Sequence, residues 1–255
     1  MSVLRARCPA CGTLTAVALD AGYECHVCGR GFAAGLVRVP RAFGRGGEAM
    51  AAAASLDLPY PEAAVVEEES IEGQAAVVAA SLPTPPLVLG GCCCAHVGAV
   101  RGLVARHGRI SVVWLDAHGD LNTPETSPSG NLWGMPLRMA LDEGSVAPRD
   151  VALWGARDLD PPEAAFLAEH GIDDDVRRAV SGTAAVYVAL DADVLAPGQL
   201  ACFMPAAGGP TVAEVERVLR AVASRGVPVA GLGLTGLTPD ADTATLVALA
   251  AALGL

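Results

Sequence analysis

"ISVVWLDAHGD", residues 110–120, is the stretch that decides how this chain folds. A largely apolar run of strand length, Ile110 to Leu115, ends abruptly in Asp116, His118 and Asp120. "AVYVALDAD" (185–193) repeats the pattern and runs into Asp191 and Asp193. "PLVLGG" (86–91), "DVALWGARD" (150–158) and "VAGLGLTGL" (229–237) are further apolar runs of the same length. Helix-like stretches lie between them: "AHVGAVRGLVARHG" (95–108), "PPEAAFLAEHG" (161–171), "TVAEVERVLRAVASRG" (211–226) and "TATLVALAAALG" (243–254). Apolar strands alternating with such helices predict an α/β fold whose mainly parallel sheet is covered on both faces.

Composition agrees with a packed chain. Hydrophobic residues make up 52% and charged residues 18% of the 255 positions, which argues against disorder. The net charge of -11 argues against broad nucleic-acid or anionic-membrane binding. No charged segment followed by an apolar run opens the chain, so no secretory signal is expected. The apolar tail from Thr243 to Leu255 is too short to span a bilayer. A cytoplasmic protein with a small-molecule substrate, and with no nucleic-acid or membrane partner, is expected.

The eight cysteines are arranged for metal, not for disulfides. Cys8 and Cys11, then Cys25 and Cys28, form two Cys-x-x-Cys pairs separated by thirteen residues. That spacing suits a tetrahedral zinc site of four thiolates, with iron in the same geometry as the lesser alternative. A Gly follows each pair and lets the backbone turn toward the thiolates. "LTAVAL" (14–19) reads as a strand between them. So small a segment has little core, so metal would supply much of its folding free energy. His26, inside the second pair, is expected to be exposed and not a ligand. The expected division is a zinc ribbon over 1–34 and a larger domain over 35–255. Up to position 46 the chain carries six Arg and two acidic residues, leaving room for a local anionic partner.

In open parallel sheets, ligands bind beyond the carboxyl ends of the strands. Alternation along an extended chain would send Asp116, His118 and Asp120 to one side, and likewise Asp191 and Asp193. Four carboxylates in one place repel unless cations neutralise them. With one imidazole among them, the set suits two divalent metals that hold and acidify a bridging water. The plainer alternative is a scatter of helix caps and turn aspartates.

"LDAHGDLNTPETSPSGNLWGMPL" (115–137) resembles a signature block of the arginase and agmatinase (ureohydrolase) family. "LDADVLAPG" (190–198) resembles its Asp-x-Asp block, and "WGARDLDPPE" (154–163) its Arg-Asp-x-Asp-Pro block. "LGGCCCAHVGAV" (89–100) occupies the place of its Gly-Gly-Asp-His motif. The resemblance covers about 85–240 in the right order. It implies a three-layer α/β/α fold, often in homo-oligomers, and a binuclear manganese site that hydrolyses guanidinium or amidine C–N bonds. Asp116 and Asp191 would bridge the metals, Asp120 would complete one site, and His118 with Asp193 the other. Asp120 and His118 would be the catalytic pair. Asn122 and Ser129 would hold a substrate carboxylate, and Asp160 a substrate amino group.

Departures from that pattern bear on function. The family's first metal-binding His falls on Cys93, whose thiolate would favour zinc or iron(II) over manganese. Cys92 and Cys94 read as small apolar packing groups. His96 either returns to the site from the start of a helix or is satisfied by a backbone carbonyl. Trp133 replaces a proton-shuttling His, and indole cannot shuttle protons at neutral pH. Gly236 stands where the family has the Glu that grips the guanidinium, and Gly209 replaces a hydroxyl residue of the same pocket. A buried guanidinium without that Glu loses its charge partner.

The expected activity is therefore hydrolysis of an amidine, formimino or modified guanidine bond in a small amino-acid-like substrate, and not in arginine itself. A non-catalytic regulatory or interaction protein of the same fold is the alternative, and a thiol-based role for Cys92 to Cys94 a third. The ribbon gives the first test. Replacing Cys25 and Cys28 by Ser should remove about one zinc per chain, the load of one four-thiolate site, measured by elemental analysis. Unchanged stoichiometry would refute the ribbon site.

Overall fold

The computed structural model describes residues 5–19 and 22–255. Residues 1–4 and 20–21, part of the expected ribbon, lie outside the described residues. The strands β1 (Arg5–Ala6), β2 (Ala16–Leu19), β3 (Gly22–Cys25) and β4 (Gly31–Phe32) form a four-stranded antiparallel sheet in that order. Its core is small, with Ala6, Cys8, Ala16, Tyr23 and Cys25 buried together.

The second sheet has seven strands: β5 (Gly35–Val39), β6 (Glu62–Val65), β7 (Pro86–Gly90), β8 (Ile110–Leu115), β9 (Val151–Trp154), β10 (Ala185–Asp191) and β11 (Val229–Thr235). They lie in the order β6-β5-β7-β11-β10-β8-β9, and each neighbouring pair is parallel. The helices are α1 (Glu48–Ala53), α2 (Ile71–Ser81), α3 (Ala95–His107), α4 (Pro136–Asp142), α5 (Pro161–His170), α6 (Val176–Ala179), α7 (Val212–Ala223) and α8 (Thr243–Ala252). Strand residues alternate between two buried layers, as the pleat requires. Val113, Leu115, Val186, Val188 and Leu190 join the layer of Val215 and Leu219 from α7 and Leu246 and Leu249 from α8. Val112, Trp114, Tyr187 and Ala189 join Val78 from α2 and Val100 and Leu103 from α3. Burial on both faces is why these strands read as unbroken apolar runs, and the result is the expected three-layer α/β/α arrangement. Among the described residues, no helix is long and apolar enough to cross a membrane.

Local chemistry sets the helix starts. Thr211 and Glu214 form a reciprocal capping box at α7, and Asp160 and Glu163 do the same at α5. The sequence did not mark β5 and β6. Arg38 interrupts β5, and its guanidinium is carried by Glu62 Oε2 at 2.7 Å and by the carbonyls of Ala54 and Leu56. Backbone hydrogen bonds between Arg7 and Glu62, at 2.9 and 3.0 Å, join the small sheet to β6.

Four neighbouring strands, β7, β11, β10 and β8, end at one edge of the large sheet. Arg157, just beyond β9, fixes the loop there. Its guanidinium donates to the carbonyls of Gly155, Val194 and Asp193 at 3.0, 3.1 and 2.8 Å, and its Nε to Ala207 at 2.9 Å. Lysine cannot supply this planar fork. Arg157→Lys should therefore cost about 2–3 kcal/mol, read as a lowered urea midpoint, because several carbonyls lose a charged donor. An unchanged midpoint would show that the fork carries no weight.

Candidate metal centre

The strand-end residues converge by a different route from the one expected. Extended alternation does not bring them together, because the chain bends immediately after Leu115. The Asp116 carboxylate accepts from the His118 amide at 2.8 Å, and Asp191 accepts from the Asp193 amide at 3.0 Å. Each is a side-chain turn that folds the following residues back over the strand end. Ala117 N donates to Asp193 Oδ1 at 3.1 Å and locks the two loops together. Asp120 has a left-handed backbone (φ 54), a conformation that Asp tolerates better than most residues. Glu163 holds this loop, accepting from the amides of Leu121 and Asp160 at 3.0 Å each.

Cys93 faces this cluster. Its Sγ lies 2.9 Å from Asp191 Oδ2, 3.2 Å from Thr235 Oγ1 and 3.9 Å from Asp116 Oδ2. Cys92 and Cys94 are buried in a cluster with Phe43 and Met50. Two potential donor sets result: Cys93, Asp116 and Asp120, and Asp116, His118 and Asp193. Asp116 is common to both. Asp191, the second expected bridge, stands beside both sets, with Oδ1 accepting from the Asp193 amide and Oδ2 in contact with Cys93 and Thr235.

The electrostatics show a site short of positive charge. Burial, then the Asp193 charge, lifts Asp191 to about 7, and burial, then the Asp116 charge, lifts Asp193 to about 6. Burial raises Asp116 too, and raises Asp120 well above the carboxylate range with help from Asp116 and Asp191. Hydrogen bonds to Asp116 and then Asp193 push His118 up to about 12, with Nδ1 3.0 Å from Asp193 Oδ2. Asp120 Oδ2 is buried without a hydrogen-bonding partner. A buried, unpaired carboxylate oxygen facing other carboxylates is what a cation would satisfy, so these residues fit a divalent metal centre.

A cavity of roughly 300 Å³ opens over the cluster. Asn122, Ser129 and Asp160 line it, with Asn122 Nδ2 donating to Asp160 Oδ2 at 2.8 Å. Trp133 and Phe203 form a T-shaped wall with ring centres 5.9 Å apart, and Met50 and Met204 extend it. Gly236 lies on the floor with φ 68, and a Cβ there would sit 2.0 Å from Asp191 Oδ1. Gly209 does not share this pocket as expected. It packs against Arg157, where a Cβ would meet Nη2 at 2.7 Å. Asp242 caps α8 and does not line the cavity. His96 finds neither a backbone carbonyl nor the metal centre, but the hydroxyls of Tyr187 and Thr235. Sequence reasoning missed Met50, Asp158, Glu163, Phe203 and Thr235. For Glu163, the Asp-Pro-Pro-Glu pattern of a capping box was a usable signal.

The N-terminal cysteines also come together. Cys8 and Cys28 sulfurs are 3.7 Å apart, and Cys11 and Cys25 sulfurs 3.6 Å. A tetrahedron with zinc–sulfur bonds of about 2.3 Å has sulfur–sulfur edges of about 3.8 Å. Gly12 (φ 70) and Gly29 (φ 69) take left-handed turns, and their amides bond back to Cys8 and Cys25 carbonyls at 2.8 and 2.7 Å. His26 is exposed.

Known proteins place the chain. An arginase from Staphylococcus aureus is 44% identical over 97 residues, 34% of this chain and 32% of that protein. The chain therefore spans about a third of the length of such curated relatives. The crystal structure of arginase from Bacillus cereus superposes with a TM-score of 0.72 at 24% identity, covering 86% of this chain and 97% of that one. Formimidoylglutamase from Bacillus subtilis gives a TM-score of 0.65 at 18% identity, covering 86% and 84%. The Arginase family profile matches residues 45–254, and a match over that much of the chain makes this protein a member of the arginase family.

Proposed function

We propose that this protein is a metal-dependent hydrolase of a C–N bond in a small amino-acid-like molecule other than arginine. The observation that carries this is the pair of donor sets sharing Asp116, with the unpartnered Asp120 oxygen between buried carboxylates. Two divalent cations held by Cys93, Asp116, Asp120, His118 and Asp193 would supply an acidified water for attack on an amidine-type carbon. The Cys93 sulfur favours zinc or iron(II) on its side of the centre. Asn122, Ser129 and Asp160 would orient the carboxylate and amino ends of the substrate from the cavity wall. Residues 1–34 would form a zinc ribbon of Cys8, Cys11, Cys25 and Cys28, and residues 35–255 the hydrolase domain.

The reacting group is set by what the floor lacks. A side chain at position 236 would strike Asp191, so the carboxylate that grips the guanidinium in the family pattern has no counterpart at this position. Trp133, wedged against Gly44 and Gly47, offers an apolar wall and no proton carrier. A formimino group or a less basic amidine tolerates such a site. Formimidoylglutamase, among the structural relatives, is named for a substrate of that chemical class.

Ammonia release from formimino- and amidino-amino acids, measured with zinc, iron(II) or manganese supplied, tests the reading. Wild type should turn over at least one of them while releasing little or no urea from arginine. Absence of turnover with every substrate and metal, or urea release at an ordinary arginase rate, would overturn it. Gly236→Glu should not create arginase activity and should lower the melting temperature, because the new Cβ strikes Asp191.

Charge crowding gives a further prediction for metal-stripped protein. Asp191 and Asp193 have folded-state values above the ordinary carboxylate value, so their contribution to stability is full below about pH 4 and is lost as pH rises through about 6 and 7. Thermal melts of stripped protein should fall across that window, and added zinc should reverse the fall. With the ribbon cysteines kept loaded with zinc in both proteins, Asp116→Asn should raise the stripped protein's melting temperature at pH 7 and abolish the response to further zinc. Retention of that response would remove Asp116 from the centre.

A further inference from the structure

Behind the metal centre, a line of polar side chains crosses the middle of the sheet, where packing alone calls for none. Tyr187 in β10, His96 in the first turn of α3 and Thr235 at the end of β11 are all fully buried. His96 Nδ1 lies 2.9 Å from the Tyr187 hydroxyl, and Nε2 lies 3.2 Å from Thr235 Oγ1. Thr235 Oγ1 in turn lies 3.2 Å from Asp191 Oδ2 and 3.2 Å from Cys93 Sγ. The Trp114 ring meets His96 edge-on at 5.0 Å, and its indole N–H donates to Asp116 Oδ2 at 3.1 Å. Room for the line comes from Gly233, where a Cβ would sit 2.2 Å from the Tyr187 hydroxyl and 2.4 Å from the His96 ring.

Hydrogen bookkeeping gives the line a direction. His96 is fully buried and its ring nitrogens meet two hydroxyls and no carboxylate, so the imidazole is neutral and carries one N–H. If that hydrogen sat on Nδ1, the Tyr187 hydroxyl would accept it and be left with a buried proton lacking an acceptor. With the hydrogen on Nε2, Tyr187 donates to Nδ1, and Nε2 donates to Thr235. Thr235 then has one hydrogen left, and its remaining neighbours are Asp191, Cys93 and, at 3.5 Å, the Leu190 carbonyl.

We propose that Tyr187, His96 and Thr235 form a one-way hydrogen-bond relay that points the single Thr235 hydroxyl hydrogen at Cys93 Sγ and Asp191 Oδ2, which share it at 3.2 Å each. They are positioning residues for the Cys93 side of the centre. The donor holds the sulfur and the carboxylate in place and withdraws charge from them, as outer partners of metal ligands do. This inference rests on the reading of Cys93 as a metal ligand.

Cobalt(II) reports both claims separately. Protein that keeps zinc in its ribbon, which is spectroscopically silent, is stripped at the main centre by mild chelation and loaded with cobalt(II). Subtracting the Cys93→Ser spectrum isolates the band of sulfur-to-cobalt charge transfer. Thr235→Val should move that band to lower energy and weaken cobalt binding roughly tenfold, the effect expected of a lost outer partner. Thr235→Ser should restore both. Tyr187→Phe keeps the ring and should move the band in the same direction by less, which tests the relay even if Thr235→Val fails to fold. A sulfur band at an unchanged position in Thr235→Val, or in Tyr187→Phe where Thr235→Val does not fold, would overturn the relay while leaving Cys93 a ligand. Absence of any sulfur band in wild type would overturn the ligand reading itself, and the relay with it.

Discussion

Four aspartates held out of water within reach of one another are the constraint around which this protein is organised. In isolation such a cluster is unfavourable, since each charge is desolvated and each repels the next. The fold does not relieve the cost by distance. It brings Asp116 and Asp191 in on neighbouring parallel strands, β8 and β10, and then turns the chain back so that Asp120 and Asp193 join them. Among the described residues, His118 is the basic side chain that pairs with the cluster, its Nδ1 3.0 Å from Asp193 and 3.4 Å from Asp116.

The neighbouring elements serve that arrangement. Arg157 gathers the carbonyls of the Asp193 loop, Glu163 gathers the amides beyond Asp120, and Trp114 hydrogen-bonds Asp116 from below. Gly236 has the opposite duty, because it leaves Asp191 the space that any side chain would take. Any side chain at position 236 would require Asp191 to move.

Much of this was legible in the sequence, and for physical reasons. Strands buried on both faces lose their amphipathic alternation and appear as runs such as Ser111 to Leu115, so the sheet and its strand ends could be read directly. Asp116, His118, Asp120, Asp191, Asp193 and Cys93 stand at those ends, and the structure gathers them. What could not be read depends on contacts distant along the chain. Asp191's contacts with Thr235 and Cys93 span 44 and 98 residues. Phe203 and Met50 meet Trp133 only after folding, and His96 found hydroxyls from two strands where a nearer carbonyl was expected. Gly209 was expected in the pocket from its place in the family pattern, but the Arg157 side chain fills the space beside it.

The small N-terminal sheet has a consequence for solubility. Strand β6 is the outermost strand on its side of the large sheet, and an outermost strand offers free backbone donors and acceptors to any passing chain. Arg7 occupies part of that row, exchanging both backbone hydrogen bonds with Glu62 in antiparallel fashion. The segment that carries the four clustered cysteines thus also shields an edge. Its unfolding would uncover a template for strand addition, so keeping those cysteines together would protect the much larger body behind them from self-association.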